Sequence, residues 1–386
     1  MSRITLKTVY VLGAGASFHV GAPLLKDFLV TARLFLEGGQ KPTHSDAFEH
    51  VFAWIDKLRA SSYYVDFDLD NLEHVFSLAE MSKQLGIQNG AEIFRDLRLV
   101  TMETLDQCWL LWTRGHLETD LIYAKFVDTL KEANQERAAL LNKHHDGLTK
   151  DVIITFNYDA MLDYVMWTRK CHAEYCLNNN PDSGKYKVLK LHGSVNWGEC
   201  SECRSGNTTD VQEIIPHPAE YNTRCFTEGQ HIPFNIYTMR MRSTKCDKCE
   251  EMGTLQPVII PPTWSKSVGD SPLANVWKHA VKEISEAYQI IVIGYSLPPT
   301  DTFFQYLLTL GLVSNKNLYR VIVVNKDNSE EFKQRYRNVF SRSLYERGRL
   351  IFSTWRKGAD SGGNTFETFV NERERLEKAS KEVEWP

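Results

Sequence analysis

Short apolar runs recur along this chain, each closed abruptly by glycine, asparagine, histidine or another polar residue. They fall at 9–12, 152–155, 188–191, 258–260, 290–293, 321–324 and 350–352. Runs of three or four such residues predict buried strands of a parallel sheet. Between the first and second runs the period changes. Residues 36–149 carry almost no strand signal. Apolar positions repeat there at helical spacing, through Phe48, Val51, Phe52, Trp54 and Ile55, and again through Met102, Leu105, Cys108, Trp109 and Trp112. Asp70 with Glu73 three residues on predicts a helix start. A further helix is expected from about 272 to 288, with Ser271 as its cap and Pro272 as its first residue. The last segment, 356–386, is charged and helical in pattern, and a solvated helix face or an assembly contact would account for it.

This alternation predicts an α/β fold: a Rossmann-like parallel sheet with helices on both faces, a helical insertion and a small zinc-binding module. The sheet core takes residues 1–35, 150–197 and 253–355. The helical insertion takes 36–149, the cysteine-bearing module 198–252, and the helical tail 356–386.

The strand ends carry the chemistry. Val11-Leu12 breaks into the turn Gly13-Ala14-Gly15-Ala16-Ser17. Two glycines permit a tight turn with close ligand approach, and N–H groups freed there would favour a phosphate. Phe18 stands where a full dinucleotide fingerprint has its third glycine. Three later runs end in polar groups: Asn157-Tyr158-Asp159, His192-Gly193-Ser194 and Gly294-Tyr295-Ser296. That edge is where open parallel sheets bind ligands.

With these motifs the chain resembles the sirtuin-type NAD-binding family. More narrowly it resembles the sirtuin-like NAD hydrolases of bacterial anti-phage defence. Gly13 to Ser17 followed by Gly21-Ala22-Pro23 matches the spacing of the sirtuin Gly-Ala-Gly-x-Ser and Gly-Ile-Pro. Asn157 and Asp159 match its Asn-x-Asp, His192-Gly193 its catalytic His-Gly, Gly294 and Ser296 its Gly-Thr-Ser, and Asn325 its late strand-end Asn. The likeness covers roughly residues 5–30, 150–200 and 255–330. The chain departs where Leu24-Leu25-Lys26 replaces the sirtuin Asp-Phe-Arg. It also departs at 257–267, where Pro261 and Pro262 replace the segment that pairs with an acyl-lysine peptide.

Eight cysteines are present, and four form the pairs Cys200-x-x-Cys203 and Cys246-x-x-Cys249. Two such pairs supply the four thiolates of a structural zinc site, although the intervening loop is long for a zinc ribbon. A degenerate or disulfide-prone module is the alternative. Cys108, Cys171, Cys176 and Cys225 read as packing residues. The net charge of −4 gives no basic surface for direct nucleic-acid binding. No apolar run approaches the roughly 18 residues of a membrane span, and no signal peptide is evident, so a cytoplasmic protein is expected.

The resemblance implies a substrate, NAD, and an activity, its cleavage to nicotinamide and ADP-ribose in anti-phage defence. Asn157 would place water, His192 would contact ribose or take a proton, and Asp159 would stabilise positive charge or cap a helix. Gly13, Ala14, Gly15, Ser17, Gly294, Ser296 and Asn325 would contact NAD, with Asp327 a further candidate by position. Asp301 reads as a helix cap, and His144-His145 as surface. The alternatives are an NAD-dependent protein deacylase and a non-catalytic NAD or ADP-ribose sensor. A homo-oligomer and a HerA-type ring ATPase partner are also implied.

Overall fold

The computed structural model describes residues 7–38, 41–61, 66–113, 122–140, 150–178, 181–182, 184–203, 211–214, 236–261, 273–298, 301–353, 366 and 369–370. The first apolar run forms β1 (Thr8–Leu12), buried at every position, and a one-turn helix follows it, α1 (Ala14–Ser17). On one side of β1 lie β2 (Val152–Thr155), β4 (Tyr186–Lys190) and a two-residue edge strand, β3 (Ala173–Glu174). On the other lie β8 (Gln289–Ile293), β9 (Arg320–Val324) and β10 (Leu350–Ser353). The order is β10-β9-β8-β1-β2-β4-β3, and every pair is parallel. The chain builds outward from β1 in one direction, then returns and builds outward in the other. The switch point therefore lies between β1 and β8.

Both faces of β1 are covered. Tyr10 meets Phe126 edge-on at 5.2 Å, while Val9 and Val11 on the opposite face are equally buried. Phe126 belongs to α6 (Ile122–Leu140). That helix leaves the expected insertion and joins the main core through Tyr123, Phe126, Val127 and Leu130.

A second core gathers the rest of that insertion, α3 (Ser45–Ser61), α4 (Leu72–Leu85) and α5 (Gly90–Thr113), together with α2 (Phe28–Glu37), which the sequence pattern assigns to the sheet core. These pack through Phe48, Val51, Phe76 and Val100 onto a small antiparallel sheet ordered β6-β5-β7. Its strands are β5 (Gly193–Cys200), β6 (Val211–Glu213) and β7 (Leu255–Ile259). The apolar run at 258–260 thus differs from its reading as a core strand. It lies in β7, antiparallel to β5 and outside the parallel sheet. An apolar run marks burial but not the direction of its partner.

Two helix starts also differ from the sequence reading. Asn71, not Asp70, caps α4: its backbone is extended and its Oδ1 accepts the Glu73 N–H at 2.9 Å. Asp70 pairs instead with Arg59 at 2.7 Å. The helix expected from 272 begins at Ala274, after Leu273; Ser271 and Pro272 lie outside the described residues, as do His144, His145, Cys225 and Pro262. Asp301 caps Thr302–Leu312 as expected, accepting the Phe304 N–H at 3.2 Å. Within the tail, Phe366 and Phe369 are core residues, while the charged run 372–377 lies outside the described residues.

The switch point imposes a testable demand on glycine. Gly294 sits at φ +64, and a Cβ there would lie 2.4 Å from the Ala16 nitrogen. Gly348 has the same φ with open space around it. Gly348→Ala should cost about 1 kcal/mol, the backbone term alone. Gly294→Ala should cost about 2–4 kcal/mol, because overpacking adds to strain. Urea unfolding of the two variants measures the difference, and equal costs would contradict the packing argument.

Candidate active site

A cavity of about 520 Å³ opens over the carboxyl ends of β9, β8, β1, β2 and β4. Four strand spacings separate its extremes, roughly 19 Å. The glycine turn sits midway, two strands from either end. Of the residues singled out in the sequence, Ala14, Gly15, Ser17, Asn157, Asp159, His192, Gly294, Ser296 and Asn325 line it. Gly13 does not reach the wall. It lies underneath, where a Cβ would fall 2.6 Å from the Tyr295 Cα.

The glycine turn works differently from the expected phosphate cradle. Gly13 N–H donates to Ile293 O and Gly15 N–H to Gly294 O, both at 2.9 Å. Neither amide is free for a ligand. The three glycines instead let two strand ends meet backbone to backbone. A Cβ on Gly15 would lie 2.9 Å from the Gly294 Cα. What the turn offers a ligand is a flat wall without side chains.

Beside it lies a connected polar cluster. Ser17 Oγ has one proton, which goes to Asp159 Oδ2 at 2.7 Å. Asn157 Nδ2 and the Tyr123 hydroxyl therefore both donate into that oxygen, each at 2.8 Å. Asn157 Nδ2 also donates to Gly13 O at 3.0 Å, which leaves Oδ1 as its remaining polar atom. Asp159 Oδ1 accepts the Met161 N–H at 3.1 Å, just before the helix Met161–Thr168, whose cap position is Ala160. Burial pushes the Asp159 carboxyl above its ordinary range, against the pull of the Lys190 charge. Lys190 is itself buried. It donates to Asp159 O at 2.7 Å and to Asp163 Oδ2 at 2.8 Å.

His192 follows β4 and is 4 % exposed. Its ring lies between Phe156, at 5.2 Å, and Tyr158, at 5.9 Å. Phe156 stacks on Tyr295 at 4.5 Å, tying this end of the cavity to β8. The glycine after the histidine is required by the backbone. Gly193 has φ +87, and a Cβ would lie 1.9 Å from Val258 O.

At the opposite end Asn325 is anchored rather than open. Its Nδ2 donates to Tyr295 O at 3.1 Å and its Oδ1 accepts the Asp327 N–H at 3.0 Å. Asp327 is not on the wall: its Oδ1 accepts the Ser329 N–H at 2.9 Å, and Oδ2 lies 3.7 Å from Arg335. Sequence reasoning missed Tyr123, Lys326 and Phe366. Lys326 and Phe366 line the cavity, and Tyr123 packs on Phe366 at 5.5 Å. The apolar spacing of α6 signals burial for Tyr123 but nothing about its hydroxyl.

The four paired cysteines converge, with all Sγ atoms within 4.8 Å of one another. Cys200 lies 3.7 Å from Cys249 and Cys203 lies 3.8 Å from Cys246. A tetrahedron of sulfurs about 2.3 Å from a central zinc has edges of about 3.8 Å. The Lys248 N–H donates to Cys246 Sγ at 3.4 Å. The group fits zinc and sits on the small sheet, away from the cavity wall.

A void of about 20 Å³, the size of one water, lies between Asp106 of α5 and Asp159. Asp106 is 2 % exposed; its Oδ2 accepts the Thr238 N–H at 2.9 Å and its Oδ1 has no partner among the described residues. Burial raises this carboxyl to about 7.

No family model matches the chain, and no curated protein matches it. Among solved structures it is similar to a Sir2 homologue mutant in complex with ADP-ribose. The TM-score is 0.41 and the identity 16 %, over 98 % of this chain and 95 % of that one. It is also similar to a Sir2–p53 peptide–NAD+ complex. There the TM-score is 0.36 and the identity 15 %, over 97 % and 94 % of the two chains. Among the described residues no helix is long and apolar enough to cross a membrane.

Two outcomes follow from this geometry. Purified protein should carry one zinc per chain by elemental analysis, and Cys203→Ser should lose it and lower the melting temperature. Zinc-free protein of unchanged stability would contradict the assignment. The second outcome concerns pH. The folded chain keeps a proton on Asp106 that the unfolded chain releases above about pH 4. That proton is lost as pH rises through about 7, so the contribution of this group to stability falls over that interval. Glu213, also raised to about 7 by burial, acts with the same sign. Asp106→Asn should flatten, in part, the decline in urea midpoint between about pH 5 and pH 8. An unchanged slope would contradict it.

Proposed function

We propose that this protein is an NAD glycohydrolase, cleaving NAD to nicotinamide and ADP-ribose. The observation that carries the reading is one cavity that joins a side-chain-free turn at its centre to Asn157, Asp159 and His192 at one end. A dinucleotide would lie across the strand ends with its pyrophosphate over the glycine turn. Its nicotinamide ribose would face β2 and β4.

The chemistry is the breaking of one C–N bond at the ribose. Nicotinamide leaves neutral, so no strong acid is needed, and the ribose carbon gains oxocarbenium character as it departs. Asp159 lies where an ionised carboxylate would stabilise that charge. Asn157, held rigid by Gly13 and Ser17, presents Oδ1 as an acceptor that orients a water. The water oxygen joins the ribose carbon, and His192 takes the released proton. Zinc, held by Cys200, Cys203, Cys246 and Cys249, would supply structure only, because four thiolates leave no open position.

The surroundings of β7 favour hydrolysis over deacylation. A deacylase needs a free strand edge to pair with its peptide. Here Pro257 brings no N–H, its carbonyl accepts from Arg98 of α5, and Ile260 O accepts from the Tyr158 hydroxyl at 3.0 Å. We extend the reading, on the likeness of the motifs alone, to NAD depletion during phage infection by a homo-oligomer acting with a HerA-type ring ATPase.

Incubation with NAD should release nicotinamide and ADP-ribose without any acylated peptide, as chromatography of the products would show. Asn157→Ala and His192→Ala should each lower the rate by about 100-fold or more with an unchanged circular dichroism spectrum. A strict requirement for peptide, with acetyl-ADP-ribose as product, would establish the deacylase reading instead.

A further inference from the structure

The two ends of the cavity differ in charge. The β2–β4 end carries Asp159. At the β9 end the wall carries Lys326, the residue after Asn325. Among the described residues Lys326 makes no salt bridge, and its neighbour Asp327 is turned onto Ser329 and Arg335. Of the other carboxylates on the described wall, Glu73 belongs to α4, and Asp301 lies beside Tyr295. Asp301 is buried and already accepts from the Tyr295 hydroxyl at 2.5 Å and from the Phe304 N–H.

This distribution bears on the second ribose of a dinucleotide. Nucleotide folds that select an unphosphorylated ribose place a carboxylate to accept its 2′-hydroxyl, whereas a basic group there accommodates a 2′-phosphate. The β9 end lies two strands from the glycine turn, about 10 Å. That is the reach of one nucleoside half when the pyrophosphate lies over the turn. No described carboxylate is free there, and a cation is.

We propose that the site accepts dinucleotides phosphorylated on the ribose of the non-reacting half, NADP-type as well as NAD-type, and that Lys326 is the residue that reads the phosphate. The inference rests on the reading of the cavity as a dinucleotide site. The flexible Lys326 ammonium meets a phosphate dianion by a charge-assisted hydrogen bond. Against a plain hydroxyl the same group gains little. Lys326 therefore sets the ratio between the two substrates. Lys26 is the other lysine on the wall, and it lies on the loop before α2 rather than at a strand end.

The test is equilibrium binding of ADP-ribose and 2′-phospho-ADP-ribose to the full chain, by calorimetry. Wild type should bind the phosphorylated ligand at least as tightly as the plain one. Lys326→Ala should lower the ratio of the two affinities about tenfold, Lys326→Glu should lower it further, and Lys326→Arg should restore it. A phosphorylated ligand bound about 100-fold more weakly by wild type would overturn the proposal. So would a ratio indifferent to Lys326→Glu, or one moved by Lys26→Glu instead. Binding of neither ligand would remove the dinucleotide site itself. Nicotinamide release from NAD, measured on the same protein, separates the two readings: cleavage of NAD with an unmoved ratio overturns this inference alone.

Discussion

Two strand ends meet at the switch point of the sheet with nothing but backbone between them. Gly13 and Gly15 pass their N–H groups to Ile293 and Gly294, and Gly294 passes its own to Val324. The ladder of the sheet thus runs on past the end of β1 and β8. A methyl group on any of the three glycines would strike backbone at under 3.0 Å. This contact fixes the floor of the cavity. It also explains why polar side chains crowd to either side: the middle has no room for them.

The polar cluster at β2 depends on that floor. Asn157 is oriented by the Gly13 carbonyl, which exists as an acceptor only because the turn folds back over β8. Ser17, at the end of the four-residue helix that the turn begins, then binds Asn157, Asp159 and Tyr123 through one oxygen. A single hydroxyl with three partners holds each at a set angle. Such a network is costly to leave half-made in a dry interior, so it locks rotamers. Lys190, paired with Asp163 beneath it, supplies a positive charge that opposes the burial of Asp159 without cancelling it.

The sheet is legible in the sequence because its central strands are buried on both faces, which favours apolar runs. β1, β2, β4, β8, β9 and β10 all lie where those runs predict, within two residues. The two- and three-residue strands β3 and β6 leave no such run and are not. β7 shows the limit of the signal, since burial against an antiparallel neighbour writes the same apolar letters. The sequence pattern makes 36–149 one insertion and puts the helix before it with the sheet, yet α6 packs on the main sheet while α2 joins α3 to α5 in a second core. Periodicity reports that a face is buried and does not say against what. The same holds at the site. Asn157, Asp159 and His192 stood out by position at strand ends. Tyr123, Phe366 and the true role of the glycines depended on contacts across more than a hundred residues.

The second core gives the cavity its other wall. Leu24, Leu25 and Phe28 precede or begin α2, Leu72 and Glu73 begin α4, and Leu105 comes from α5. These face the strand ends from the side opposite the sheet. The four cysteines belong to this half, with Cys200 and Cys246 buried in the second core. A metal at those thiols would therefore act on the site without touching it, by holding the small sheet and the helices that close over the strand ends. Closure matters because the proposed reaction needs one placed water rather than bulk solvent. Mostly apolar residues on that wall lower the local dielectric around Asp159 and strengthen every charge interaction inside. That wall is mostly apolar, with Glu73 of α4 and the exposed Lys26 as its charged members among the described residues.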